Sequence, residues 1–318
     1  MNILITGYTG FIGTNLTEKL SENILYGVDI FQKDSVVRHF PWEALHDCKD
    51  SVSIVHLAGK AHDTQSTTSE REYFDINVGL TQKIFQHFIN SSAKKFIFFS
   101  SVKAVADTIA GNHLTEEVLP SPKTPYGQSK LAAEKYILKE LEKWKEGEEA
   151  NGRDNKWKKV YILRPVMIHG PGSKGNLNLL YKLQQKGLPW LLGAFENKRS
   201  FCSIDNILFV VQQLIDKNIE PGIYQVADDE ALSTNELIKL IASSQNKKAM
   251  IWSIPVKSIN AIARIGDFFH LPLNSERLKK LTESYLVSNQ KIKHALGLDK
   301  MPVSAVIGFK KTFESFKK

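Results

Sequence analysis

Along the first half of the chain, short runs of apolar residues alternate with longer stretches in which apolar positions recur every three or four. "NILIT" (2–6), "ILYGV" (24–28), "SIVHLA" (53–58), "KFIFFS" (95–100) and "VYILR" (160–164) are almost wholly apolar, the pattern of strands buried on both faces. Segments 11–20, 71–90 and 126–143 carry the helical period, and the mixed-charge stretch 144–158 extends the last of them before looping back at the surface. Repeated strand-then-helix units of this kind predict an α/β fold, a Rossmann-type doubly wound parallel sheet with helices on both sides. "RPVMIHGPGSKGN" (164–176) is rich in Gly and Pro and reads as loop, "IYQVAD" (223–228) as one more strand, and the rest, from about 229, as mainly helical. The expected division is a nucleotide-binding domain over 1–165, to which the chain returns around 200–228, and a smaller cap built mainly from 166–318.

Composition narrows this little. The chain has 318 residues, 42% hydrophobic and 24% charged, as an ordinary globular protein does. It shows no signal-peptide pattern and no long uncharged apolar run, so a cytoplasmic protein without membrane insertion is expected. Cys48 and Cys202 have no metal-type spacing and read as buried thiols; no metal site is expected. The net charge of +8 is spread along the chain in mixed-sign clusters, without a basic stripe interleaved with aromatics. It suits an anionic small-molecule ligand better than nucleic acid.

Two constellations carry chemistry. "ITGYTGFIGTNL" sets Gly7, Gly10 and Gly13 directly after the first strand and at the opening of a helix. Glycines there allow a tight turn, close approach of backbone to a pyrophosphate and close helix–strand packing, while free N–H groups face the phosphates. Asp29 ends the second strand, where a carboxylate can accept from the ribose hydroxyls and repel a 2′-phosphate. NAD is the expected cofactor; NADP stays possible because Lys33 and Arg38 follow. The expected cofactor contacts are Gly7, Thr9, Gly10, Phe11, Ile12 and Gly13, then Asp29, then Leu57, Ala58 and Gly59 of "HLAG".

In the second, Tyr126 and Lys130 of "YGQSK" are four apart, on one face of a helix. A phenol is a poor base at neutral pH until a cation lowers its pKa, and Lys130 supplies one. Ser101, at the end of the strand "KFIFFS", sits where parallel sheets bind ligands and can share the proton on a substrate oxygen. Ser100 reads as support for it. A protein that only bound the dinucleotide, as sensor or scaffold, would need neither the tyrosine nor the lysine.

Together these motifs resemble the extended short-chain dehydrogenase/reductases that modify nucleotide sugars, over nearly the whole chain. Further matches are Asn77, "RPVMIHGPG" (164–172), "GNL" (175–177) and "RSFCSIDN" (199–206). The resemblance implies a catalytic trio of Ser101, Tyr126 and Lys130, with Lys130 also touching the cofactor, and substrate contacts from Asn176 and Arg199 to a UDP-sugar. It implies a homodimer as well, through the helices at 71–90 and 126–143, where Ile84, Phe85, Phe88, Leu131, Ile137 and Leu138 could serve the interface or the monomer core. The chain departs from the pattern at Ala104–Val105–Ala106, where relatives have Val-Tyr-Gly, and at Val102–Lys103, where sugar-nucleotide 4,6-dehydratases carry an Asp-Glu pair. Dehydration is therefore not expected. "SSVK" and "HLAGKAH" look most like a branch that reduces UDP-4-keto-6-deoxy-N-acetylhexosamines for surface polysaccharides; UDP-hexose 4-epimerisation, by the same parts, is the alternative.

Overall fold

The computed structural model describes residues 1–33, 37–48, 50–61, 69–109, 111, 113–152, 154, 157–173, 175–269 and 274–317. In chain order the elements that make the main layer are β1 (Asn2–Thr6), α1 (Phe11–Lys19), β2 (Ile24–Val28), β3 (Val37–Phe40), β4 (Ser53–His56), α2 (Glu70–Asn90), β5 (Lys95–Phe99), α3 (Pro125–Ala150) and β6 (Lys159–Pro165). Then come β7 (Met167–His169), α4 (Asn176–Gln185), β8 (Phe201–Ser203), α5 (Ile204–Asp216) and β9 (Gly222–Val226). The chain closes with α6 (Thr234–Ser244), α7 (Val256–Phe269), α8 (Ser275–Thr282), α9 (Gln290–Leu296) and α10 (Ala305–Ser315).

Seven strands form one sheet in the order β3-β2-β1-β4-β5-β6-β9, all neighbours parallel. The strands are apolar throughout because each face is covered. Ile3 and Ile5 of β1 and Ile97 of β5 point to one side, where they meet Leu16 of α1 and Ile207, Val211 and Leu214 of α5. Leu4, Phe96 and Phe98, the alternate positions, point to the other and meet Phe85 and Phe88 of α2 and Ala133 and Ile137 of α3. A third cluster, with Tyr181, Leu237, Ile241, Phe309 and Phe313, holds α4, α6 and α10 together.

Pairing registers align the strand ends: Thr6 lies beside Val28 and His56, His56 beside Phe98, and Phe99 beside Leu163. Gly7, Leu57 and Ser100 therefore leave the sheet along one edge. The order of strand addition reverses between β1 and β4, which makes the crevice above them the place where a doubly wound sheet binds its ligand.

Two lysines close helix ends from the sheet. The Lys158 ammonium, buried, donates to the carbonyls of Phe88 (2.6 Å) in the last turn of α2 and of Ser91 (2.9 Å) and Ala93 (3.0 Å) just past it, and lies 4.4 Å from the Phe88 ring centre. Lys95 does the same for Leu214, Ile215 and Lys217 at the end of α5. Carbonyls orphaned at a helix C-terminus thus find cationic donors.

Against the sequence expectations, β3 and the parallel pair β7–β8 are additional strands; β7 lies within the stretch that reads as loop. α3 runs to Ala150, as its mixed-charge extension suggested. Ile84, Phe85, Phe88 and Ile137 are fully buried in the monomer core, so of the six candidate interface positions only Leu131 and Leu138 reach the surface.

Candidate active site

The glycine turn follows β1. Gly7 has φ +71°, and a Cβ built there would lie 2.6 Å from the Ala58 nitrogen. One on Gly13 would lie 2.4 Å from the Gly7 oxygen and 2.5 Å from Tyr8 Cα, so α1 packs on the turn as only glycine permits. Gly10 caps α1 with no side-chain acceptor for the helix N–H groups, and no acid stands in the first turn. The cradle fits a dinucleotide pyrophosphate, with those amides as its donors. Asp29 accepts from the Thr9 amide (3.1 Å), the Thr9 hydroxyl (2.8 Å) and the Ile30 amide (2.8 Å). The carboxylate expected to face the ribose thus also ties the turn to the end of β2. Phe11, at the head of α1, is half-buried beside Gly170 and Gly172, and Ile12 packs on the core.

Leu57, Ala58 and Gly59 leave β4 next to this turn. Beneath them His56 is fully enclosed: the Thr6 hydroxyl lies 2.6 Å from Nδ1 and Thr81 Oγ1 3.0 Å from Nε2. The Thr81 hydroxyl gives its proton to the Asn77 carbonyl (2.6 Å), so it accepts from His56 Nε2–H, which leaves Nδ1 to accept from Thr6. Burial, with the Lys130 charge adding to it, holds His56 well below the ordinary imidazole range, and the ring is neutral. The Asn77 side chain accepts from the Lys60 amide (2.7 Å) and donates to Ser129 Oγ (3.0 Å), which in turn donates to the Tyr126 carbonyl (2.8 Å).

Tyr126, Lys130 and Ser101 come together at the head of α3. Ser101 caps the short turn Val102–Ala104 by accepting from the Lys103 amide (3.1 Å), and its hydroxyl is hydrogen-bonded to Tyr126. Tyr126 is half-buried, with the Tyr73 ring edge-on at 6.0 Å. Burial raises its pKa, partly offset by the bond to Ser101. Lys130, deeply buried, donates to the Phe99 carbonyl (2.9 Å); burial pulls its pKa down to about 8, against the opposing pull of Glu134. Both shifts disfavour the charged forms, as desolvation requires.

Residues that the motifs do not announce hold this trio. Glu134, one turn beyond Lys130, accepts from Ser100 and from Arg164 Nε (2.9 Å) and Nη2 (2.5 Å) in an enclosed ion pair. Its signal was available: an arginine in an otherwise apolar strand needs a buried partner. Asp107 accepts from the Lys123 and Thr124 amides (2.6 and 3.2 Å) and the Thr124 hydroxyl (2.9 Å), fixing the N-cap of α3. Tyr285 donates to the Ala106 carbonyl (2.7 Å) and carries the Lys103 ammonium 4.2 Å from its ring centre. Arg199, half-buried, pairs through its backbone with Leu232 and Tyr285, and burial lowers its pKa, with Glu283 and Tyr285 opposing. Arg199 thus reaches the turn after Ser101 by way of Tyr285. Asn176 opens α4; its side chain lies outside the described residues.

Comparison with known proteins agrees with this geometry. Residues 3–227 match the NAD dependent epimerase/dehydratase family. A UDP-glucose 4-epimerase of Vibrio cholerae is 30% identical, covering 99% of this chain and 95% of the relative. An N-acetyl-alpha-D-glucosaminyl-diphospho-ditrans,octacis-undecaprenol 4-epimerase of Escherichia coli O157:H7 is 27% identical, covering 92% and 84%. The fold is that of MoeE5 in complex with UDP-glucuronic acid and NAD, at a TM-score of 0.75 and 20% identity, covering 100% of this chain and 99% of that one. With the family matched over most of the chain and a relative of this identity along nearly its full length, the chain belongs to the NAD-dependent epimerase/dehydratase family of extended short-chain dehydrogenase/reductases, in its nucleotide-sugar epimerase/reductase branch.

Proposed function

We propose that this enzyme reduces C4 of a UDP-4-keto-6-deoxy-N-acetylhexosamine, using the Ser101–Tyr126–Lys130 site. The observation that carries the reading is the geometry of that site, where Tyr126 is hydrogen-bonded to Ser101 with Lys130 one helical turn on. The Tyr126 phenol, bonded to Ser101 and with its pKa raised by burial, is placed to give a proton to a C4 oxygen. When bound, the dinucleotide supplies the hydride for C4. Ser101 shares the proton on the sugar oxygen, and Lys130 stabilises the phenolate left after transfer. Gly7, Thr9, Gly10, Phe11, Ile12, Gly13, Asp29, Leu57, Ala58, Gly59 and Lys130 would hold the cofactor, and Asn176 and Arg199 the UDP portion.

The same reading excludes a 4,6-dehydratase. Val102 is buried, and Lys103 is engaged by the Asp107 carbonyl (2.8 Å) and the Tyr285 ring, so no acid–base pair follows Ser101. It includes the domain division at about residue 165, with the chain returning around 200–228. It also includes a homodimer through α2 and α3, resting on Leu131 and Leu138.

A second reading, 4-epimerisation of a UDP-hexose, is favoured by the two 4-epimerases among the relatives. There Tyr126 would first act as base, which its raised pKa opposes until a bound oxidised nicotinamide adds positive charge. The two part on cofactor turnover. The purified enzyme is given UDP-4-keto sugars with NADH or NADPH, or UDP-hexoses with neither, and products are read by NMR. Stoichiometric oxidation of NADH supports the reductase; interconversion of UDP-hexoses without added cofactor sinks it.

A further inference from the structure

α7 is built inside out. Its buried positions are Ile259, Ala263 and Gly266, a narrow stripe of mainly small residues. Its larger apolar side chains face solvent: Ile262 is 48% exposed, Ile265 54%, Phe268 79% and Phe269 65%. At 3.6 residues per turn these four fall within an arc of about 120°. Along one margin of the arc, beside Phe268, stand the exposed Lys257 and Arg264. The one acid of the helix, Asp267, lies off the arc, its two oxygens taken by the amide (2.8 Å) and hydroxyl (2.6 Å) of Ser275 on α8. The two phenylalanine rings sit edge to face at 5.0 Å.

Scattered exposed leucines need no explanation, but a continuous stripe of this kind on one helix marks a surface made to be covered. The flanking charges say by what. An apolar arc edged with cations and free of acids is complementary to the anionic headgroups and acyl boundary of a bilayer. The chain's net charge of +8 favours the same partner. Fourteen residues make a helix about 21 Å long, too short for a hydrocarbon core of about 30 Å. No helix among the described residues is long and apolar enough to cross a membrane.

We propose that α7 lies in the headgroup plane of an anionic bilayer, with Ile262, Ile265, Phe268 and Phe269 immersed and Lys257 and Arg264 on lipid phosphates.

The full chain is co-sedimented with vesicles of phosphatidylcholine alone or mixed with phosphatidylglycerol. Binding is expected to the mixed vesicles only, weakening as salt is raised. Phe268→Ser with Phe269→Ser lowers partitioning at least about tenfold, with the circular dichroism spectrum and turnover of the wild type. Lys257→Glu with Arg264→Glu abolishes the preference for phosphatidylglycerol. A tryptophan placed by Phe268→Trp is quenched by brominated lipid. No vesicle binding, or binding untouched by the double serine variant, overturns the proposal. So does a self-associated wild type that the double serine variant converts to monomer, since the arc is then an interface between copies.

Discussion

Tyr126 and Lys130 stand one helical turn apart, and burial drives their pKa values apart, the phenol up and the ammonium down to about 8. If Lys130 must be charged to stabilise the phenolate, turnover in the reducing direction stays level below about pH 8 and falls as pH rises through it. A kcat–pH profile that is flat across that region removes Lys130 from this role. Tyr126→Phe keeps the ring and loses the proton; turnover should drop by about 10²–10⁴-fold while calorimetry finds NAD binding unchanged. The trio was legible because its spacing is local and its strand-end position follows from the apolar run before it. Asp107 and Tyr285 were not, because their meaning lies in pairings across distant sequence: Asp107 with Thr124, Tyr285 with Ala106. Spacing on a helix predicts neighbours on that helix only.

At the scale of elements, the apolar runs located the sheet's long strands well, since a strand covered on both faces has almost no freedom in composition. β3 ("VRHF") and the three-residue strands β7 and β8 escaped for the opposite reason: short, or mixed with polar residues, they are strands through their pairing partners. The capping lysines are likewise invisible to periodicity. Lys158→Met removes a donor from three carbonyls and should cost about 1–3 kcal/mol, read as a lower urea midpoint. Its pH dependence has a definite sign. Burial lowers the Lys158 pKa to about 8 from an ordinary 10.5, so between these values the unfolded chain binds the extra proton. The lysine's contribution to stability therefore rises with pH across that window, a slope that the methionine variant lacks.

For the whole molecule, the exposed remainder of the α2–α3 face sets the test of assembly. With Ile84, Phe85, Phe88 and Ile137 consumed by the core, Leu138 is the exposed apolar residue on which the proposed dimer depends. Leu138→Glu should shift sedimentation from dimer to monomer without changing the circular dichroism spectrum; a monomeric wild type refutes the dimer outright. The seven-strand order has a different consequence, one of timing. β6 ends at Pro165, but its outer neighbour β9 begins only at Gly222. At about 5–20 residues per second on the ribosome, the edge of β6 waits roughly 3–11 s for its partner. Hydrophobic collapse is faster than that by orders of magnitude. Each nascent chain therefore passes through a stage in which "VYILRP" is an edge strand open on its β9 side, and the yield of this enzyme in a cell should depend on chaperones that shield that edge during those seconds.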